Sequence, residues 1–387
     1  MRGGPSFAVL AMVKALRTQG VDAEIATTND DGDGVLAVPL GQVMEHAGVP
    51  VRFFARWSPP VRLLREFACS RSLARWLDTS LCSYDLIHVH AIFSFASTCA
   101  MLAARRQRVP YLSRPLGQLC SWSLRQSALR KRAYLAAIER ANLDGAAAIH
   151  FTTEQELTEA AALGLRARGF VVPHGVDLPA LMPDARARLR ERLALPPDEP
   201  VVLFLSRIHA KKGLELLIPA LGSMRHLRFT FVLAGTADTP AYAGTINELL
   251  ADTGLAARTR QVGFAAGEWK QTLLQGADVF ALTSHSENFG IAIVEAWAAG
   301  LPVVVTPGVA LADEVVRAQL GSVPALETAA IATAVATWLQ DATACARVAC
   351  DARRWAETHY AWPAVATQLI HEYARTVSRN SSTSPLP

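Results

Sequence analysis

The feature that most constrains this chain is an alternation. Short, apolar, β-branched runs occur at residues 21–27, 86–90, 111–113, 147–151, 170–172, 201–206, 230–234, 279–283 and 303–306. Longer stretches with helical spacing separate them, among them 5–19, 124–142, 214–221 and 290–299. Short strands alternating with helices predict an α/β protein with parallel sheets. At 387 residues the chain has room for two such domains. A break is marked by Gly175, Pro179, Pro183 and the pair Pro196-Pro197, just before the strand expected at 201. We therefore read residues 1–178 and 198–358 as two Rossmann-like domains facing each other across a cleft, with 179–197 as a linker. Open parallel sheets bind ligands beyond the carboxyl ends of their strands, so that cleft is the expected site. Residues 359–377 carry Trp362, Val365, Leu369, Ile370 and Tyr373 as the apolar stripe of one more helix, and the Ser/Thr/Pro-rich residues 378–387 read as a disordered tail.

One expected element is missing. A doubly wound domain opens on a strand, yet this chain opens on Arg2-Gly3-Gly4-Pro5-Ser6, a turn and a helix start. The absent strand would be central, and its loss would leave its neighbours without hydrogen-bond partners. The expectation is a natural chain that starts upstream of this methionine; the alternative is a shortened domain with a rearranged sheet.

Other classes are excluded on composition. No run of 18 uncharged apolar residues exists to span a membrane, and no charged-then-apolar leader opens the chain. The six cysteines form no C-x-x-C pair, which argues against zinc and a disulfide framework and for a reducing, cytoplasmic setting. Residues 1–190 hold 23 Lys+Arg against 16 Asp+Glu, and the remainder 15 against 18. The basic half could meet an anionic partner, or could be an Arg-rich solvated surface.

Two motifs carry chemistry. In the first, Ser286-Glu287-Asn288-Phe289-Gly290-Ile291-Ala292-Ile293-Val294-Glu295 follows one strand and opens a helix. Unpaired N–H groups from about Phe289 to Ile291 and the helix dipole make an anion site. Glu295 stands roughly 7 Å along the helix from Gly290 at 1.5 Å per residue. Two carboxylates so placed suit two hydroxyl-bearing groups of one long ligand better than a single bond. The second motif, Ser206-Arg207-Ile208-His209-Ala210-Lys211-Lys212-Gly213, follows the strand at 201–206. Arg207 can grip a diphosphate bidentately while Lys212 supplies a point charge. No Walker sequence is present, which disfavours a P-loop nucleotidase.

These residues resemble the retaining glycosyltransferases of family 4, which have the GT-B fold. The resemblance rests on Arg207 with Lys212 and on Glu287 spaced eight from Glu295. It extends to Gly3-Gly4-Pro5-Ser6, His88-Val89-His90, the segment from Arg114 to Leu119, His174-Gly175-Val176-Asp177 and Ala298-Ala299-Gly300-Leu301-Pro302. The region from Arg114 to Arg140 is similar to the subgroup that builds bacterial exopolysaccharides. The resemblance implies an acceptor-side first domain, a second domain that binds a nucleotide-sugar, and a final helix crossing back to the first. It implies that Glu295 holds the ribose, Arg207 and Lys212 the diphosphate, and Glu287 with the backbone of Asn288, Phe289, Gly290 and Ile291 the donor sugar. Gly3 and Gly4 would form the loop nearest the donor phosphate. The cations could replace a metal, and we read no Asp-x-Asp motif to hold one, so neither metal nor cofactor is expected. His174 stands where the family's turn carries Asn, read as a structural change.

His90 ends its strand at the expected cleft, near the reacting sugar by the resemblance; a strand-end histidine satisfied by backbone is the competing reading. His88 is assigned to the other side of the strand, as a core or surface residue. Residues 105–140 hold Arg105, Arg106, Arg108, Arg114, Arg125, Arg130, Lys131, Arg132 and Arg140 against the single acid Glu139. With Trp122, Leu124, Leu129, Tyr134 and Leu135 between them, they could form a face for an anionic membrane carrying lipid-linked acceptors. A solvated helix is the alternative, and no nucleic-acid motif accompanies the charge. The whole reads as a glycosyltransferase of polysaccharide biosynthesis, cytoplasmic and in part peripheral to the membrane. The alternatives are an epimerase or phosphorylase on the same fold, and a binding protein inactivated by loss of its first strand.

Overall fold

The computed structural model describes residues 3–32, 34–59, 67–125 and 128–383. It divides into two units, residues 1–175 with 362–387 and residues 176–361.

The second unit is one parallel sheet of six strands: β10 (Val201–Leu205), β11 (Thr230–Ala234), β12 (Thr259–Gly263), β13 (Val279–Leu282), β14 (Val303–Val305) and β15 (Gly321–Ser322), in the order β12-β11-β10-β13-β14-β15. Strands β10, β11, β13 and β14 are buried along their whole length. That explains why they read as unbroken apolar runs: helices cover both faces, so no position needs to be polar. The segment expected to be a linker is not one. Residues Ala185–Arg192 form a helix packed on the helix Gly267–Gly276. Arg190, 2% exposed, donates to Asp278 Oδ2 (2.6 Å) and to the Glu199 carbonyl (2.7 Å). A Cβ on Gly276 would stand 2.7 Å from the Ala185 carbonyl oxygen, so glycine lets the two helices touch.

The first unit opens on the helix Gly3–Thr18, so Gly3 and Gly4 lie in a helical turn instead of the expected loop. Its strands are β1 (Ile25–Thr28), β2 (Asp30–Asp31), β3 (Gly34–Val35), β4 (Val43–His46), β5 (Val49–Phe54), β6 (Ile87–His90), β7 (Tyr111–Arg114), β8 (Ala148–Phe151) and β9 (Gly169–Val171). They form a sheet β1-β5-β4, a parallel sheet β6-β7-β8-β9 and the hairpin β2-β3. Among the described residues no strand joins β1 to β6, and each is an edge. Met12, Val13 and Leu16 of the first helix bridge this division, in one apolar cluster with Val51 and Phe53 of β5, Leu112 and Ala148 of the other sheet, and Trp362, Val365 and Leu369. The last three belong to the helix Trp362–Thr383, which therefore returns to the first unit.

That helix also corrects the expected tail, continuing to Thr383 with residues 384–387 outside the described set. Ser and Thr lower helix propensity only modestly, and the first residue able to stop the helix is Pro385. Over the helix expected at 124–142, the described residues form Ser121–Arg125, Ala128–Tyr134, a π-helical turn Leu135–Glu139 and Arg140–Asp144. The wider turn carries Glu139 inside, fully buried, where it accepts from Thr98 Oγ1 (2.7 Å) and Asn142 Nδ2 (3.2 Å). No described helix is long and apolar enough to cross a membrane.

Candidate functional site

In the second unit, β10 and β13 are neighbours at the point where strand order reverses, and the two motifs leave their carboxyl ends. The loops are stitched together by backbone. His285 N donates to the Lys211 carbonyl (2.9 Å), and Thr283 Oγ1 donates to that of Gly213 (2.9 Å). Gly213 has φ +68°, and a Cβ there would stand 1.9 Å from the Thr283 carbonyl oxygen. Only glycine permits this approach. The chain then turns back at Glu287, whose N–H donates to Gly308 (2.9 Å) and whose carbonyl accepts from Ala310 (2.9 Å).

This stitching brings two predicted residues into contact. Lys212, 8% exposed, forms an ion pair with the Glu287 carboxylate. An ammonium has three donors and Glu287 takes one, so the cation keeps capacity for an anionic ligand. Arg207 is exposed and stands 3.7 Å from Asp238, which also lies 3.6 Å from His209. Gly290, at φ +85°, caps the helix Ile291–Ala298. Ile293 N–H already closes on the Gly290 carbonyl (2.8 Å), which leaves the N–H groups of Ile291 and Ala292 at the helix start without intrahelical partners. The start thus falls later than expected from the sequence. The Phe289 side chain is 3% exposed and belongs to the apolar core, while Asn288 stays half-buried in the loop. Ile291, Ala292 and Glu295 are the half-buried positions of a helix otherwise buried, so Glu295 lies one turn beyond the anion-binding end on the same face. Its Oε1 meets Lys270 Nζ at 2.7 Å.

In the first unit, β6 carries His88 and His90 on one face, rings 4.5 Å apart. Placing His88 opposite His90 was wrong, because side chains two apart along a strand share a face. His88 belongs to a chain of hydrogen bonds with one possible direction. The Val172 carbonyl can only accept, so His150 Nε2 donates to it (2.7 Å). His150 Nδ1 then accepts from His88 Nε2 (3.2 Å), and His88 Nδ1 accepts the Tyr373 hydroxyl (2.8 Å). Both rings are neutral in this chain. Burial, with the Arg114 guanidinium as a smaller cause, pulls His88 down to about 3. Burial and, as a smaller cause, the Arg114 guanidinium also hold His90, His150 and His174 well below the ordinary histidine range. Arg114, expected on a basic surface, is 1% exposed, and its Nη2 lies 3.0 Å from His174 Nδ1. That contact sets His174 against a buried guanidinium.

Beyond His90, Ala91 (φ +65°) and Phe93 (φ +58°) are both left-handed. Three bonds hold this strained loop: Ala91 N to the Arg114 carbonyl (2.9 Å), Ile92 N to Gln118 Oε1 (2.5 Å) and Phe93 N to Glu139 Oε1 (3.3 Å). Strain so tightly determined makes this loop a candidate for function. His90 Nδ1 is buried without a partner among the described residues, so the backbone does not satisfy it.

Comparison with known proteins decides the family. Residues 3–175 match the profile described as a glycosyl transferase 4-like domain, and residues 185–355 the profile of glycosyl transferases group 1. The chain belongs to the group 1 glycosyltransferases. This glycosyltransferase is 28% identical to the D-inositol 3-phosphate glycosyltransferase of Xylanimonas cellulosilytica, over 97% of this chain and 93% of that one. Among solved structures it superposes on sucrose-phosphate synthase from Thermosynechococcus elongatus (TM-score 0.77, 22% identity, 97% of this chain and 94% of that one). It also superposes on HepE from Anabaena, solved with UDP and glucose (TM-score 0.75, 23% identity, 97% of each chain). The fold is GT-B.

Sequence reasoning missed several residues that contact the candidate positions in each unit. Asp238 and Lys270 come from other strand ends and helices, and no local spacing links them to Arg207 or Glu295. Gln118 and Glu139 act on a loop tens of residues away. An Asp-x-Asp does occur in the sequence, at Asp31-Gly32-Asp33, far along the chain from both motifs; Asp33 lies outside the described residues.

Proposed function

We propose that this glycosyltransferase moves a sugar, with retention, from a nucleoside-diphosphate sugar to a hydroxyl of a glycan or lipid-linked acceptor in polysaccharide biosynthesis. The observation that carries the reading is the contact between Lys212 and Glu287 at the carboxyl ends of adjacent strands, beside the helix start at Gly290. Glu295 takes the ribose hydroxyls, Arg207 and Lys212 the diphosphate, and Glu287 with the backbone at 288–291 the sugar. As the bond from C1 to the phosphate oxygen breaks, charge grows on the diphosphate, and fixed cations there stabilise the transition state more than the ground state. The acceptor oxygen bonds to C1 on the same face, and its proton passes to the departing phosphate. In the first unit, the roles assigned are the donor phosphate for Gly3 and Gly4 and the reacting sugar for His90. No metal is required, because Arg207, Lys212 and the helix start supply the charge.

The enzyme works in the cytoplasm and touches an anionic membrane through Arg125, Leu129, Arg130 and Arg132. All four are exposed, Leu129 by 86%. Arg106 and Arg140 are less available, since Asp78 and Asp144 pair with them. A phosphorylated cyclitol is the second acceptor reading, favoured by the relative from Xylanimonas that matches almost the whole chain.

The test is transfer from UDP-glucose, GDP-mannose and ADP-glucose to three acceptors: an oligosaccharide, a polyprenyl-linked sugar, and inositol phosphate. We expect one donor to yield a product of unchanged anomeric configuration, with activity undiminished by EDTA. Inverted product, or loss of activity in EDTA that a divalent cation restores, would contradict the mechanism. Transfer to inositol phosphate alone would replace the first acceptor reading with the second.

A further inference from the structure

We infer that Lys270 is a positioning residue for donor binding, holding the Glu295 carboxylate toward the ribose. The inference rests on the reading that Glu295 takes the ribose hydroxyls. Glu295 is the only charged residue in the helix Ile291–Ala298, flanked by the fully buried Val294, Ala296 and Trp297. Its side chain is 22% exposed and Lys270 28%, with Nζ 2.7 Å from Oε1. An adjacent ammonium holds a carboxylate in that half-buried setting in one rotamer more effectively than at an open surface.

The position of Lys270 points the same way. It is the fourth residue of the helix Gly267–Gly276, and its N–H closes on Ala266 (3.3 Å). The amino end of a helix carries partial positive charge, so a lysine there slightly destabilises the helix instead of stabilising it. The chain has only five lysines among 38 basic residues. What Lys270 stabilises is Glu295 across the gap between two helices. The contact uses one oxygen of a group that accepts about four hydrogen bonds, so Oε2 and the remaining lone pairs are left for a vicinal diol. Removing the ammonium frees the carboxylate to swing toward water, and the diol then has to reorder it.

The experiment is calorimetric titration with UDP, GDP and ADP, followed by the 2′,3′-dideoxy form of whichever one binds. The variants are Lys270→Met, Lys270→Arg, Glu295→Gln and the double change Lys270→Met/Glu295→Gln. Each is checked by thermal melting for an unchanged fold. Lys270→Met is expected to weaken the nucleotide about fivefold to tenfold, as loss of a half-buried charged hydrogen bond does. It should leave the dideoxy form within about twofold, because that ligand has no hydroxyls for Glu295 to hold. Lys270→Arg should restore most of the affinity, and the double variant should bind no worse than Glu295→Gln alone. Equal weakening of both ligands, or no weakening beside a clear effect of Glu295→Gln, overturns the role of Lys270 and leaves Glu295 in place. Absence of any effect from Glu295→Gln, or of any binding, overturns the ribose reading and this inference with it.

Discussion

Gly213 and Ala91 occupy the same left-handed backbone region, at φ +68° and +65°, with opposite surroundings. At Gly213 the space for a Cβ is already filled by the Thr283 carbonyl. Gly213→Ala is therefore expected to cost more than about 2 kcal/mol, since strain at φ > 0 adds to a displaced strand end. Ala91→Gly removes a strained Cβ at the price of a more flexible unfolded chain, and should fall within about 1 kcal/mol of the unaltered protein. Urea titration of both variants checks the contrast; equal stability losses would contradict it. At this scale the site is half legible in sequence. Arg207, Lys212, Glu287 and Glu295 announce themselves because each follows a strand end or opens a helix at fixed spacing. Lys270 and Asp238 do not, because what selects them is a tertiary contact with a residue tens of positions away.

Among elements, the helix Trp362–Thr383 is tied to the first unit through Tyr373, His88, His150 and the Val172 carbonyl. The four histidines at 88, 90, 150 and 174 titrate well below their unfolded value, so between the folded values and about pH 6.5 the unfolded chain binds more protons. Their contribution is complete above about pH 6.5 and falls as pH drops below it, by up to about 1.4 kcal/mol per pH unit for each histidine. Thermal melting between pH 8 and pH 5 should be nearly level to about pH 6.5 and then decline steeply. A flat profile down to pH 5 would contradict the neutral chain. The elements of the second unit are the more legible ones. β11 spans the residues expected, and β10, β13 and β14 end one residue early, because a strand buried on both faces is spelled in apolar residues alone. The hairpin β4-β5 escaped notice because Ala47-Gly48, at φ +53° and +79°, is a weak spelling of a two-residue turn, and β12 because Thr259–Gly263 is polar along an edge.

For the molecule as a whole, the family was legible and the division of the first sheet in part. The strands β1 and β6 are edges of two separate sheets, and only the structure shows Met12, Val13 and Leu16 in one apolar cluster with residues of both. The basic surplus of residues 1–190 is likewise spent partly inside: Arg114 is buried, and Arg106, Arg140 and Arg168 pair with Asp78, Asp144 and Glu372. The central claim is that the loops at the ends of β10 and β13 bind the nucleoside diphosphate of a sugar donor. The measurement that tests it most directly is calorimetric binding of UDP, GDP and ADP to the unaltered chain, to Glu295→Ala and to Arg207→Ala. The account predicts saturable binding of one nucleotide, weakened about tenfold or more by each substitution, as loss of a charged hydrogen bond to the ligand requires. Binding that neither substitution changes, or a folded protein that binds none of the three, would contradict it.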